Sequence, residues 1–230
     1  MKRVLAWALA LLLSGAAAPA WADAYADARA AYDKGDFPAA VAGYKALAEA
    51  GDPRAETALA MMYFRGEGLK PNLHLVESLL QSAAGRGHGP AALTLARFHL
   101  SGGLGLADPE KAQELFETAL AKGEVGAAHF LSLMHYRGVA GRRDLEQSAK
   151  YARLAAEAGL PDAQYHLGML HFKGEGVPRD EIEAYFWVFI AGQLGFAQAQ
   201  ALVAEFNQRL TREQLMATES RASQWRKKQP

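Results

Sequence analysis

The segment Ala163–Gly195, AQYHLGMLHFKGEGVPRDEIEAYFWVFIAGQLG, is the most complete copy of a unit that is written four times along the chain. Moving outward from it in steps of 36 residues, glycine recurs at Gly51, Gly87, Gly123, Gly159 and Gly195, and alanine at Ala55, Ala91, Ala127, Ala163 and Ala199. Further columns keep the same interval: Gly66, Gly102, Gly138 and Gly174; Leu59, Leu95, Leu131 and Leu167; Asn72, Asp108, Asp144 and Asp180; Ala83, Ala119, Ala155 and Ala191. Self-similarity at a fixed period of this length marks a stacked array of short units.

Each column has a physical role in a two-helix unit. Alanine and leucine four apart, followed four residues later by Tyr63, His99, His135 or His171, make the buried face of a first helix. The glycines at 66 to 174 end that helix by entering the left-handed region without a Cβ penalty. Asn72, Asp108, Asp144 and Asp180 supply short oxygen side chains where a second helix begins and its first N–H groups need acceptors. The small residues at 83 to 191 allow close approach of that second helix, which stops at the 51 to 195 glycines. Pro53, Pro90 and Pro161 then block continuation.

The flanks read differently. Met1-Lys2-Arg3, an apolar run from Val4 to Leu13, and small residues up to Ala22 have the form of a secretory signal peptide, 1–22, with Asp23 as the mature start. Its removal takes away Lys2 and Arg3 and leaves 23 bases against 25 acids, a balance that argues against nucleic-acid binding. No later apolar run is long enough to span a membrane. The chain has no cysteine, so disulfides, thiolate metal sites and lipid attachment through cysteine are excluded. Residues 23–54 read as a helical pair with a tighter turn, Asp33-Lys34-Gly35, and 199–226 as two closing helices, the second opened by the capping box Thr211-Arg212-Glu213-Gln214. Residues 227–230 form a tail.

Leu167-Gly168, His171, Gly174-Glu175-Gly176-Val177, Asp180, Ala184, Trp187, Ala191 and Gly195 resemble the Sel-one-like repeat, a relative of the tetratricopeptide repeat. The resemblance covers residues 55–198 as four repeats, and 23–54 resembles a tetratricopeptide unit. It implies an all-α fold, a right-handed α/α superhelical solenoid that acts as a protein-binding scaffold. Departures fall in the turns, where Leu104 and Ala140 replace the second glycine, and in the three histidines that stand where tyrosine is usual.

Motifs that could carry chemistry have plainer readings. The turns Arg65-Gly66-Glu67-Gly68 and Lys173-Gly174-Glu175-Gly176 follow helices and lack the ending of a phosphate-binding loop. His99, His135 and His171 stack on successive repeats about 9–10 Å apart, too far for a shared metal without convergence of their side chains. No nucleophile elbow, zinc-protease signature or serine-lysine pair occurs. No catalytic residue, cofactor or metal is therefore expected. The cysteine pairs of secreted relatives linked to β-lactam chemistry are also missing. The run Tyr185 to Ile190 is either core shared with Leu202, Phe206, Leu210 and Trp225, the favoured reading, or an open patch.

By the same resemblance, first helices line the concave groove. The residues beside the buried column then face a ligand: Phe64, Arg65, Arg97, Leu100, Tyr136, Arg137, Tyr165, Phe172 and Lys173, with no acid before Glu205. Aromatic groups and arginines suit a peptide with apolar anchors and acidic groups. The alternative, left open by the residues, is that the bases complement helix dipoles and the rings fill gaps between repeats. The expected function is a periplasmic or secreted scaffold or regulatory adaptor that holds an envelope protein or peptide. The resemblance implies a sensor kinase or an assembly complex as such a partner. Binding of cell-wall glycan or peptide fragments is the second reading.

Overall fold

A computed structural model describes residues 20–228, and the expected signal peptide falls almost wholly outside them. The described residues form twelve helices and no strand: α1 Ala20–Asp33, α2 Phe37–Glu49, α3 Pro53–Arg65, α4 Leu73–Gly85, α5 Gly89–Ser101, α6 Pro109–Ala121, α7 Gly126–Arg137, α8 Leu145–Glu157, α9 Pro161–Lys173, α10 Glu181–Gln193, α11 Ala197–Arg209 and α12 Arg212–Arg226. Each of α1 to α11 packs chiefly on its neighbours in sequence, the arrangement of an α-solenoid. At the end the pattern changes, because α12 turns away from α11 and lies on α10.

The repeating columns become the core and the helix ends. Ala55, Ala91, Ala127, Ala163 and Ala199 are all completely buried, as are Ala83, Ala119, Ala155 and Ala191, so no larger side chain fits at these crossings. The leucine column beside them is at most 4% exposed, and each such leucine contributes about 1.5–3 kcal/mol by burial. Asn72, Asp108, Asp144 and Asp180 each accept a backbone N–H from the first turn of α4, α6, α8 and α10. The 51 to 195 glycines all adopt positive φ just beyond the second helices, and the next N–H in each case reaches back five residues, as in Asp52 N to Leu47 O at 2.9 Å. Pro53, Pro90 and Pro161 occupy the first turn of the following helix, where a missing N–H costs nothing.

The turn between first and second helices takes two shapes. In the first and fourth copies both glycines are left-handed, with φ 73° and 71° at Gly66 and Gly68, and 72° at both Gly174 and Gly176. In the second and third copies the first glycine is the same, but a later one opens to φ 144° at Gly105 and 142° at Gly141. Leu104 and Ala140 therefore mark a different loop. The tight turn also brings its second glycine onto the preceding repeat: a Cβ at Gly176 would clash with the Leu145 carbonyl oxygen, at the start of α8.

The aromatic run of α10 is core. Tyr185, Phe186, Trp187, Val188 and Ile190 are each at most 3% exposed. Phe206 of α11 covers Tyr185 at 5.6 Å, while Trp225 of α12 sits edge-on to Trp187 at 5.5 Å. Because α11 and α12 approach α10 from different sides, it can be apolar nearly all round.

Candidate partner-binding groove

The first-helix face carries two adjoining cavities at its N-terminal half. One, of about 530 Å³, is lined from α1, α2, α3 and the start of α5; the next, of about 340 Å³, by Met61, Phe64, Thr94, Arg97, Phe98, Leu100, Ser101 and Phe130. Met61 borders both, so they form one trough. Phe64, 38% exposed, packs on Phe98 with ring centres 4.7 Å apart, and Arg97 lies 5.8 Å over the Phe130 ring with its charged end exposed. Four expected groove residues, Phe64, Arg65, Arg97 and Leu100, thus converge here.

Farther along, the face closes. Tyr165 packs on Phe196 at 5.2 Å, and Phe172 meets Phe206 edge-on at 5.5 Å with the Arg209 guanidinium 4.9 Å above it. These two rings fill the gap between α9 and α11. Tyr136 and Lys173 belong to a polar cluster, and exposed Arg137 makes none of its contacts. Tyr136 donates its hydroxyl proton to Glu175 at 2.9 Å, accepts from Lys173 Nζ at 3.3 Å, and Arg143 binds the other Glu175 oxygen at 2.9 Å. Burial works against ionisation of Glu175, yet the hydrogen bonds from Tyr136 and Arg143 outweigh it and hold the carboxyl below its ordinary pKa.

The same clasp exists at the other end of the molecule. Tyr32 donates to Glu67 at 3.0 Å and accepts from Arg65 at 2.8 Å. Tyr32 and Tyr136 hold equivalent places, one residue before the end of α1 and α7. Two of the bases on this face are met by acids of the neighbouring turns: Glu67 lies 3.7 Å from Arg65, and Glu175 3.9 Å from Lys173. Arg97 and Arg137 remain exposed, with no acid within ion-pair distance among the described residues.

Histidines on this face are held neutral. His166 is lowered to about 4 by burial, with the nearby His129, Lys173 and Arg137 adding repulsion. His129 Nδ1 is buried and makes no hydrogen bond. The 99, 135 and 171 column serves packing: His135 stacks on Tyr151 at 5.6 Å, His99 approaches Glu77 at 3.9 Å, and His171 is 6% exposed. No group of three or more His, Asp or Glu among the described residues is arranged to hold a metal ion.

Tyr25, Arg29, Tyr32, Tyr44, Arg54 and His88 were not among the expected groove residues, yet all line the larger cavity. Most belong to the α1–α2 unit, whose shorter turn shifts α1 out of the 36-residue register. Alignment by distance from the helix end, as for Tyr32 and Tyr136, would have found it.

The Sel1 repeat model matches residues 53–88, 90–124, 125–160 and 161–196, well over half of the chain. The chain belongs to the Sel1 repeat family. Among solved structures, a protective antigen present in uropathogenic Escherichia coli strains with this fold is 30% identical, with a TM-score of 0.74 over 83% of this chain and 41% of that one. A Sel1 repeat protein from Oxalobacter formigenes is 27% identical, with a TM-score of 0.67 over 74% of this chain and 49% of that one. The chain thus spans less than half the length of these two structures. The immunity protein Pa5087 from Pseudomonas aeruginosa, 22% identical with a TM-score of 0.51 over 79% of this chain and 69% of that one, shares the fold. No curated protein matches the chain. Sel1 repeats are protein-interaction scaffolds, and no described helix is long and apolar enough to cross a membrane.

Proposed function

We propose that this Sel1 repeat protein is an exported scaffold or regulatory adaptor that holds a segment of another envelope protein along its first-helix face. The observation that carries this reading is the continuous trough through Met61, bordered by the exposed ring of Phe64 and the cation of Arg97. Arg137 continues the positive edge toward α9. Such a surface offers apolar anchoring beside charges that an acidic segment would neutralise. A sensor kinase or an assembly complex is the kind of partner proposed, and the cell envelope the compartment. Two hydroxyl–imidazole pairs on this face have structural partners: Ser148, 3.4 Å from His166, is fully buried, and Thr57, 2.9 Å from His88, donates its proton to the Pro53 carbonyl.

Photo-crosslinking tests the face directly. A crosslinking residue at Phe64 or Arg137 should trap one discrete partner in cells, and one at exposed Glu117 on α6 should not. Arg97→Glu combined with Arg137→Glu should abolish the product while helicity and melting stay unchanged. Equal products from Glu117, or capture that survives the double substitution, would sink the groove assignment. Export is checked separately, by recovery from the periplasmic fraction with an N-terminus at Asp23.

A further inference from the structure

The larger cavity differs chemically from the rest of the face. Its walls carry Arg29, Arg54 and Arg65 and the phenols of Tyr25, Tyr32 and Tyr44, while no aspartate or glutamate lines it. The acids that balance these guanidiniums stand outside the lining: Asp33 meets Arg29 at 2.9 Å, Asp52 meets Arg54 at 2.6 Å, and Glu67 lies 3.7 Å from Arg65. Arg29 spends its Nε–H on Asp33, and Arg65 one terminal N–H on Tyr32. A guanidinium has five N–H donors, so both retain donors for a further acceptor.

Tyr44 is an independent sign of a ligand. The residue is 2% exposed and lines the cavity, yet its hydroxyl makes no hydrogen bond with any described residue. Burial pushes its pKa up to about 12, so the phenol remains a donor at any physiological pH. Because Tyr44 lines the open cavity and its hydroxyl has no protein acceptor, an anionic ligand oxygen seated there would take its proton. Across the cavity, Thr57 donates its single hydroxyl proton to the Pro53 carbonyl at 2.7 Å and therefore accepts from His88 Nδ1 at 2.9 Å. Neutral His88 is left with an acceptor at Nε2, suited to a peptide N–H. Ala58, Met61, Met62 and Pro90 supply an apolar wall.

Resting on the groove reading above, we infer that this cavity anchors an acidic side chain of an extended partner segment that continues into the neighbouring apolar cavity. Continuity decides between a side chain and a chain end: because Met61 borders both cavities, a segment seated in the first runs on into the second. The second cavity is displaced by one first helix, about 10 Å for packed helices, which an extended chain covers in about three residues. The recognised pattern is therefore an acidic residue with an apolar or aromatic residue about three positions away.

Fluorescence anisotropy with the full chain tests this. The probe is a fluorescein-labelled, C-terminally amidated octapeptide with one glutamate and one phenylalanine three positions apart in a glycine-serine background. Glutamine in place of the glutamate should weaken binding about tenfold or more, the loss of one charge-assisted hydrogen bond. Tyr44→Phe and Arg29→Ala should each weaken it several-fold. Neither substitution should lower the melting temperature, since the Tyr44 hydroxyl has no protein partner and the Arg29 pair is exposed. Equal binding of the glutamine peptide would overturn the proposal, as would equal binding of a peptide whose only carboxylate is its free C-terminus. Displacement by a neutral N-acetylglucosamine tetramer, or no binding at millimolar probe, would do the same. If the octapeptide fails while crosslinking from Arg137 persists, the acid-binding cavity is refuted and the groove stands.

Discussion

Gly176 and Gly123 show how one residue type serves two purposes. Both have positive φ, at 72° and 91°, but a Cβ at Gly176 meets the Leu145 carbonyl, whereas one at Gly123 meets nothing within 4 Å. Gly123→Ala should cost about 1–2 kcal/mol through backbone conformation alone. Gly176→Ala should cost about 2 kcal/mol or more beyond that, because α8 must shift; urea unfolding of the two variants measures the difference. His166 makes a second prediction at this scale. Its proton-binding midpoint falls to about 4 in the folded chain from 6.5, so between these values the unfolded chain holds more protons. Stability is then full above about pH 6.5 and declines as the pH falls toward 4, by roughly 2–3 kcal/mol for this group. His88, His129 and His171 shift in the same direction, each mainly by burial. His166→Gln should flatten the pH dependence of the denaturation midpoint between pH 7 and 4.5, and an unchanged slope would contradict the assignment.

Among the elements, the turns and the last helix depart most from uniform repetition. A tyrosine near the end of one first helix occurs where the next repeat has the tight turn with glutamate, as in Tyr32 with Glu67 and Tyr136 with Glu175. Where the turn is wide, the equivalent residues are Phe64, which packs on Phe98, and Leu100. The clasp and the turn shape thus vary together, because Glu67 and Glu175 belong to the tight turn. Helix α12 secures the other end: Tyr185 donates to Glu219 at 2.7 Å, Arg221 pairs with Glu183 and lies 3.9 Å over Phe186, and Ala222 is buried between them. Truncation after Leu210 would uncover Phe186 and Trp187 together. The shortened protein should bind a hydrophobic dye and melt well below the parent, since opening contacts around a buried tryptophan costs about 3–5 kcal/mol. Truncation after Lys227 should leave the melting temperature unchanged.

At the scale of the molecule, helices touch neighbours in sequence and little else, so stability is close to a sum over repeats and their junctions. Leu131→Ala, at a fully buried position in α7, should cost about 2–5 kcal/mol locally. Hydrogen exchange should quicken from α5 to α9 while α1 and α2 keep their protection; acceleration spread evenly over the chain would show a more cooperative body than the contacts imply. What the sequence by itself determined was everything that recurs with the period: the alanine and leucine crossings, the aspartate caps, the glycine ends and hence the family. These columns repeat because every unit meets the same backbone demands and the same kind of neighbour. Only the tertiary structure decided where the first-helix face is open. That depends on contacts between repeats that differ from junction to junction: Phe206 closing over Phe172, Glu175 drawn to Tyr136, and α1, four residues out of register, bringing Tyr32 and Arg29 beside Arg65. A periodic signal reports what junctions share, and the trough lies where they differ.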